Sequence, residues 1–193
     1  MENKVFDHVM LDLETMGNKS NSAIVSIGAV EFNMKSGETG REFYSNVDLQ
    51  SCLDAGLVVN GSTVMWWLQQ EKAAQELVTQ EGMEIALALF HLSNWLNECI
   101  VGFKIWGNGA RFDIGILEDA YVKVGYKEMP WGFRDERDLR TLVAFAPSVK
   151  TLVVDEWTKK GAVIHDPIVD CKIQIDYAHR IYKWLMKPKQ IRG

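Results

Sequence analysis

"VMLDLETMG", Val9 to Gly17, is the stretch on which the fold turns. Val9, Leu11 and Leu13 share one parity, and Met10, Asp12 and Glu14 share the other, which is the alternation of a strand. The strand is expected over Val9 to Leu13, with one carboxylate inside it and another just after. Asp is depleted in strands, and an unpaired buried carboxylate is expensive. A helix cap, a salt bridge or a metal ion must offset those charges.

Outward from this stretch, "NKSNS" reads as a turn and "AIVSIGAVEFN" (Ala23 to Asn33) as a second strand rich in Val and Ile. "KSGETG" is a hairpin turn leading into a third strand, "REFYSNVD". Three strands joined by short turns predict an antiparallel meander. The pattern then becomes helical. "STVMWWLQQ" predicts a short helix capped by Ser62 or Thr63, and Ile85, Leu89, Leu92 and Leu96 predict a longer one.

"FKIWG" is short enough for a buried strand, and Ile114, Leu117, Tyr121 and Val124 share one helical face. "ERDLRTLVAFA" reads as a strand running into a helix. The last helix starts at "HDPIVD", with Ile168, Cys171, Ile175, Ala178, Tyr182 and Leu185 turned inward. Early strands followed by strand–helix alternation predict an α/β layered domain: a mixed sheet, its first three strands antiparallel, flanked by helices. No repeat or linker divides the chain, so one domain is expected over residues 1–193.

The composition, 47% apolar and 24% charged over 193 residues, is globular and argues against disorder. A net charge of −5 argues against nonspecific coating of nucleic acid. It leaves room for a nucleic-acid enzyme whose acidic site recruits cations. Cys52, Cys99 and Cys171 form no CxxC pair, which points to reduced thiols and a cytoplasmic location. No apolar run reaches the roughly 18 residues of a membrane span, and no charged-then-apolar leader opens the chain.

Residues two apart in a strand point the same way, so Asp12 and Glu14 present two carboxylates on one face, with Cα atoms about 6.5 Å apart. Taken singly, "DLE" is a strand end with an Arg partner, and Asp113 in "WGNGARFD" is a helix cap. "GNG" lacks the third glycine of a dinucleotide loop, because Phe112 stands there. In "IHDPIVD", Asp166 reads as an N-cap with Pro167 at the first helical position. That places Asp170 one turn into the helix and His165 just before it.

Taken together, an Asp-x-Glu on an early strand, an Asp at a middle helix and a His-x4-Asp at the last helix form one constellation. It resembles the DEDD (DnaQ-like) superfamily of 3′-to-5′ exonucleases in its histidine form, the DEDDh type, over about Asp7 to Leu185. "DLET" with "IVSIGAVEF" matches the first motif, "GNGARFDIGIL" the second and "HDPIVD" the third. "RDLRTL" is similar to the family's segment between the second and third. The short size and "TVMWWLQQ" are most similar to phage and prophage exonucleases and ribonuclease T-type enzymes.

The resemblance implies a ribonuclease H-like fold, with Asp12, Glu14, Asp113 and Asp170 as ligands of two divalent metal ions and His165 as general base. Hard oxygen donors favour Mg²⁺ or Mn²⁺ over zinc. Two such ions about 3.5–4 Å apart activate water and neutralise the leaving oxygen. The resemblance also sets the Thr15 backbone and the Met16 side chain beside the terminal nucleotide, with Asn108 and Phe112 near the substrate. "IWGNGARFD" departs from the family's usual lead at Gly107, which leaves substrate preference open.

Adjacent helical residues cannot both face a core, so one of Trp66 and Trp67 is either a platform for a base or a rim or homodimer contact. The basic tail "KWLMKPKQIRG" is a solvated end or a weak phosphate contact. The expected activity is removal of nucleotides from 3′ ends of single-stranded nucleic acid or 3′ overhangs, DNA favoured. The alternatives are an exoribonuclease, an inactive binding module of the same fold, a phosphohydrolase of free nucleotides and a ribonuclease H-type endonuclease.

Overall fold

The computed structural model describes residues 5–187. The basic tail beyond residue 187 lies outside the described residues. In chain order the elements are β1 (His8–Thr15), β2 (Ile24–Phe32), β3 (Thr39–Asn46), α1 (Leu49–Asp54), α2 (Gly61–Trp67), α3 (Lys72–Val78) and α4 (Ile85–Asn97). Then come β4 (Lys104–Gly107), α5 (Asp113–Lys123), β5 (Glu136–Asp138), α6 (Leu139–Val143), α7 (Pro147–Lys159) and α8 (Pro167–Leu185). The strands form one five-stranded sheet in the order β3-β2-β1-β4-β5. β1, β2 and β3 pair antiparallel as a meander, while β4 joins β1 and β5 joins β4 in parallel. The expected mixed sheet is present.

β1 is central, and its alternation sorts its side chains between two layers. Val9, Leu11 and Leu13 enter one core with Ile85, Leu89, Leu92 and Leu96 of α4 and Ile114, Leu117 and Tyr121 of α5. Met10 enters the other with Cys171, Ile175 and Ala178 of α8. Burying each large aliphatic side chain contributes about 1.5–3 kcal/mol, so these two faces hold the sheet between its helices. Asp12 and Glu14 share the parity of Met10 and therefore lie on the α8 side.

Several details differ from the sequence reading. β1 runs on to Thr15, so Glu14 lies inside the strand, because pairing with β2 continues through Glu14–Ser26 before a bulge. Asn60, not Ser62 or Thr63, caps α2: its Oδ1 accepts from Ser62 N at 2.9 Å, so the helix starts earlier than expected. Ile168, Tyr182 and Leu185 are only partly buried, while Ile173, Tyr177 and Ile181 widen the buried face of α8. The sequence reading places no helix at α1, α3 or α7. α1 and α3 are too short to show a period, whereas α7 carries Val149, Val153 and Trp157 four residues apart and was missed. Among the described residues no helix is long and apolar enough to cross a membrane.

Candidate active site

A cavity of about 670 Å³ opens at the carboxyl ends of the adjacent parallel strands β1 and β4, where open α/β sheets place their ligands. Its lining includes Asp12, Glu14, Asp113, His165 and Asp170. The tertiary fold thus brings all five motif residues to one place. Thr15, Trp66, Asn108 and Phe112 line the same cavity. Met16 does not: its side chain is buried in the core with Leu11 and Leu13, because the bulge between Glu14 and Thr15 breaks the alternation that would have set it on the face of Glu14.

Asp12, Asp113 and Asp170 are each anchored by a hydrogen bond. Gln174 Nε2 donates to Asp12 Oδ1 at 2.7 Å. Asp113 opens α5 but caps nothing, since α5 has no side-chain cap bond. Its Oδ1 instead accepts from Leu13 N at 3.3 Å, and its Oδ2 is buried without a hydrogen-bond partner. Gly107 makes room for this: a Cβ there would lie 3.1 Å from Asp113 Oδ2. The departure at Gly107 is therefore the space into which Asp113 packs.

At the start of α8, Asp166 caps the helix by accepting from Ile168 N and Val169 N at 2.9 and 3.1 Å. Asp170 Oδ2 accepts from His165 N at 3.0 Å, which folds the loop back over the first turn. His165 adopts φ 71°, a left-handed backbone that is rare for a non-glycine residue. A Cβ on Gly28, the cross-strand partner of Asp12, would sit 2.7 Å from Pro167. Glycine there lets the end of α8 descend onto the strand pair that carries the carboxylates.

His165 Nδ1 lies 3.8 Å from Glu14 Oε1. Donor atoms of Glu14, His165 and Asp170 all fall within 4.8 Å of one another. Trp66 and Trp67 flank the imidazole edge-on, with ring centroids 5.1 and 5.7 Å away. The two tryptophans divide as helical geometry requires. Trp67 is buried and donates from Nε1 to Thr15 O at 3.0 Å, while Trp66 is 42% exposed at the cavity.

The electrostatics are those of crowded anions. Burial, and then the charges of Asp113 and Asp170, hold the Asp12 carboxyl well above its ordinary value. Burial, and then Asp12, do the same for Glu14. Burial pushes Asp113 up to about 7, against backbone hydrogen bonds from Leu13 and Asn108, and pushes Asp170 up to about 6. Burial lowers His165, which keeps its imidazole neutral. Four buried or half-buried carboxyls with one orphaned oxygen are a poor design for a protein core and a suitable one for hard divalent cations. The residues fit Mg²⁺ or Mn²⁺.

The sequence reading missed Gln174, Tyr177, Arg140 and Lys150, all in the cavity wall. For Gln174 a signal existed: it stands four residues after Asp170, so the two share a helical face. For the two cations there was none, because nothing in "RDLRTL" or "PSVK" announces a cavity.

A family model described as the 3′-5′ exoribonuclease Rv2179c-like domain matches residues 7–182. Among curated proteins no relative matches the chain. Similar solved structures include exonuclease I from Methylocaldum szegediense, 12% identical with TM-score 0.66 over 94% of this chain and 41% of that one. The zinc-bound complex of E. coli exonuclease I with single-stranded DNA is 14% identical, with TM-score 0.65 over 94% and 43%. A 3′-exonuclease solved for 3′-end recognition of a histone mRNA stem-loop is 13% identical, with TM-score 0.58 over 94% and 84%. This chain spans about two fifths of the exonuclease I chains. At such identities the likeness shows the fold, the ribonuclease H-like α/β sheet.

Proposed function

The chain belongs to the 3′-5′ exoribonuclease Rv2179c-like family, and from that premise we propose that it removes nucleotides from 3′ ends of single-stranded nucleic acid by metal-dependent hydrolysis. One observation carries the reading: Asp12, Glu14, Asp113, Asp170 and His165 converge on a single cavity, with Asp113 Oδ2 buried and unpartnered. Asp12, Glu14, Asp113 and Asp170 are the residues that would hold two divalent ions. Bound there, such ions supply an activated water and neutralise charge on the phosphate and leaving oxygen.

The chain's own groups do the rest. With Nδ1 turned toward Glu14, His165 Nε2 is the nitrogen left to take a proton from the attacking water. The water oxygen bonds to phosphorus as the bond to the preceding nucleotide's O3′ breaks, releasing a 5′-mononucleotide. Trp66 offers the terminal base an aromatic edge at the rim, and Thr15, Asn108 and Phe112 bound the space beside it. RNA is the substrate to test first, because the family is described by exoribonuclease activity. The DNA preference expected from the phage resemblance has no residue of the cavity in its favour.

The test is digestion of end-labelled RNA and DNA of matched sequence, with Mg²⁺ or with EDTA, and with free or 3′-phosphorylated ends. Release of mononucleotides from free 3′ ends, abolished by EDTA and slowed by the 3′ block, is expected. Cleavage of a covalently closed single strand at a comparable rate would overturn the proposal.

A further inference from the structure

The cavity wall contributed by α6 and α7 differs from the rest. Around the strand ends the lining is acidic, and from α2 it is hydroxyl-bearing and aromatic, with Ser62, Thr63 and Trp66. α6 supplies Arg140 and α7 supplies Lys150, the only Arg and Lys among the described residues of the lining. Among the described residues neither forms an ion pair.

Arg140 is held where it is by the loop after β4. Asp138 joins the two segments: Oδ1 accepts from Thr141 N at 2.7 Å to start α6, and Oδ2 accepts from Ala110 N at 2.8 Å. The guanidinium then crosses Gly109, where a Cβ would lie 2.9 Å from Arg140 Cζ. Gly109 has φ +103°, a conformation that glycine adopts freely. A side chain at that position would therefore both strain the loop and displace the guanidinium. The positive charge is also felt by Asp113, whose carboxyl Arg140 draws downward without pairing with it.

We propose that Arg140 and Lys150 form a phosphate track, contacting backbone phosphates on the 5′ side of the one being cleaved. The carboxylates account for the reacting phosphate through their ions, and the α2 wall suits a base and sugar. A polyanion leaving this acidic centre needs cations, and the α6–α7 wall is where the chain provides them. Arg offers a planar fork to two phosphate oxygens, and Lys a flexible point charge. The direction of the strand rests on the exonuclease reading; the phosphate contact does not.

The test is the binding of a fluorescent twelve-nucleotide single strand, in EDTA and at several salt concentrations, to wild type, Arg140→Ala, Lys150→Ala, the double variant and Arg140→Lys. Each phosphate contact on a single strand contributes about 0.7 to the slope of log affinity against log salt. The double variant should thus bind about tenfold more weakly, with the slope reduced by about 1.4. Arg140→Lys should recover most of both, since it keeps the charge. In Mg²⁺, the loss in kcat/KM for the double variant should grow from a dinucleotide to the twelve-nucleotide strand.

Unchanged affinity and slope in the double variant, or a wild type that shows no salt-dependent binding, would overturn the track. A penalty independent of substrate length would do so as well. Salt-dependent binding that falls in the double variant, without any hydrolysis by wild type, would sink the exonuclease reading and leave the track standing.

Discussion

Gln174 donates a 2.7 Å hydrogen bond to Asp12 across 162 residues of sequence, joining the last helix to the first strand. The bond fixes one oxygen of Asp12 and leaves the other for the cavity. A partner of this kind orients a ligand carboxylate, and its loss typically weakens metal affinity by about 10–100-fold. Gln174→Leu should therefore weaken Mg²⁺ binding by about tenfold or more, measured by calorimetry, while Asp12 itself is intact. Unaltered affinity would show that Asp12 is held without Gln174.

Metal-free stability should depend on pH through the same carboxylates. Asp113 is raised to about 7 and Asp170 to about 6, against ordinary values near 4. A carboxyl raised in the folded state favours folding at low pH and loses that contribution as pH rises through the folded value. Between pH 5 and 8 the metal-free protein should lose stability relative to Asp113→Asn. His8 and His165 are lowered by burial and act in the opposite sense, and they are common to both proteins. Thermal melts of the pair across this range, without metal, measure the difference.

Adding Mg²⁺ should reverse the deficit. A ligand at a hundredfold excess over its Kd stabilises by about 2.7 kcal/mol. That gain should appear in wild type at pH 8 and be much reduced in Asp113→Asn and Asp12→Ala, which should also lose cleavage while staying folded. Equal Mg²⁺ stabilisation in all three would remove both residues from the metal site.

His165→Ala separates proton transfer from metal binding. A general base contributes about 10²–10⁴-fold, so kcat should fall by that much while the Mg²⁺ concentration dependence stays close to wild type. The measurement is single-turnover cleavage at saturating Mg²⁺. An unchanged rate would leave Asp170 as the working residue of its motif.

The adjacent tryptophans should respond differently. Trp67 is 4% exposed in the core and Trp66 is 42% exposed. Trp67→Ala should destabilise by about 3–5 kcal/mol in denaturant melts. Trp66→Ala should leave stability nearly unchanged and raise KM, since losing a stacked base costs about 1–3 kcal/mol. Equal destabilisation by both would deny Trp66 its role at the rim.

Most of the sheet was legible in the sequence. The alternation in Val9–Leu13, the Val- and Ile-rich second strand and the turn signals are local chemistry, and they predicted the meander. The spacing of Ile85, Leu89, Leu92 and Leu96 predicted α4 for the same reason. The Asp166-Pro167 pair marked the start of α8, because a cap and a proline state their own backbone geometry. The short helices α1 and α3 were not legible: six or seven residues hold too few turns to show a period.

By itself, then, the sequence determined the mixed sheet and the start of α8, which are properties of residue type and spacing. A family resemblance grouped Asp12, Glu14, Asp113, His165 and Asp170 as one expected set. Only the tertiary structure decided which of them share a wall and what each one touches. Asp113 caps no helix: its Oδ1 accepts from Leu13 N, 100 residues away, and its Oδ2 is buried without a partner. Met16 belongs to the core because the bulge after Glu14 turns it away from the carboxylate face, and Trp67 belongs there because Thr15 O accepts its indole N–H. Arg140 and Lys150 meet in one cavity because two helices from different segments pack beside it. Contacts of that kind arise when distant segments close around a shared core, and no local pattern encodes them.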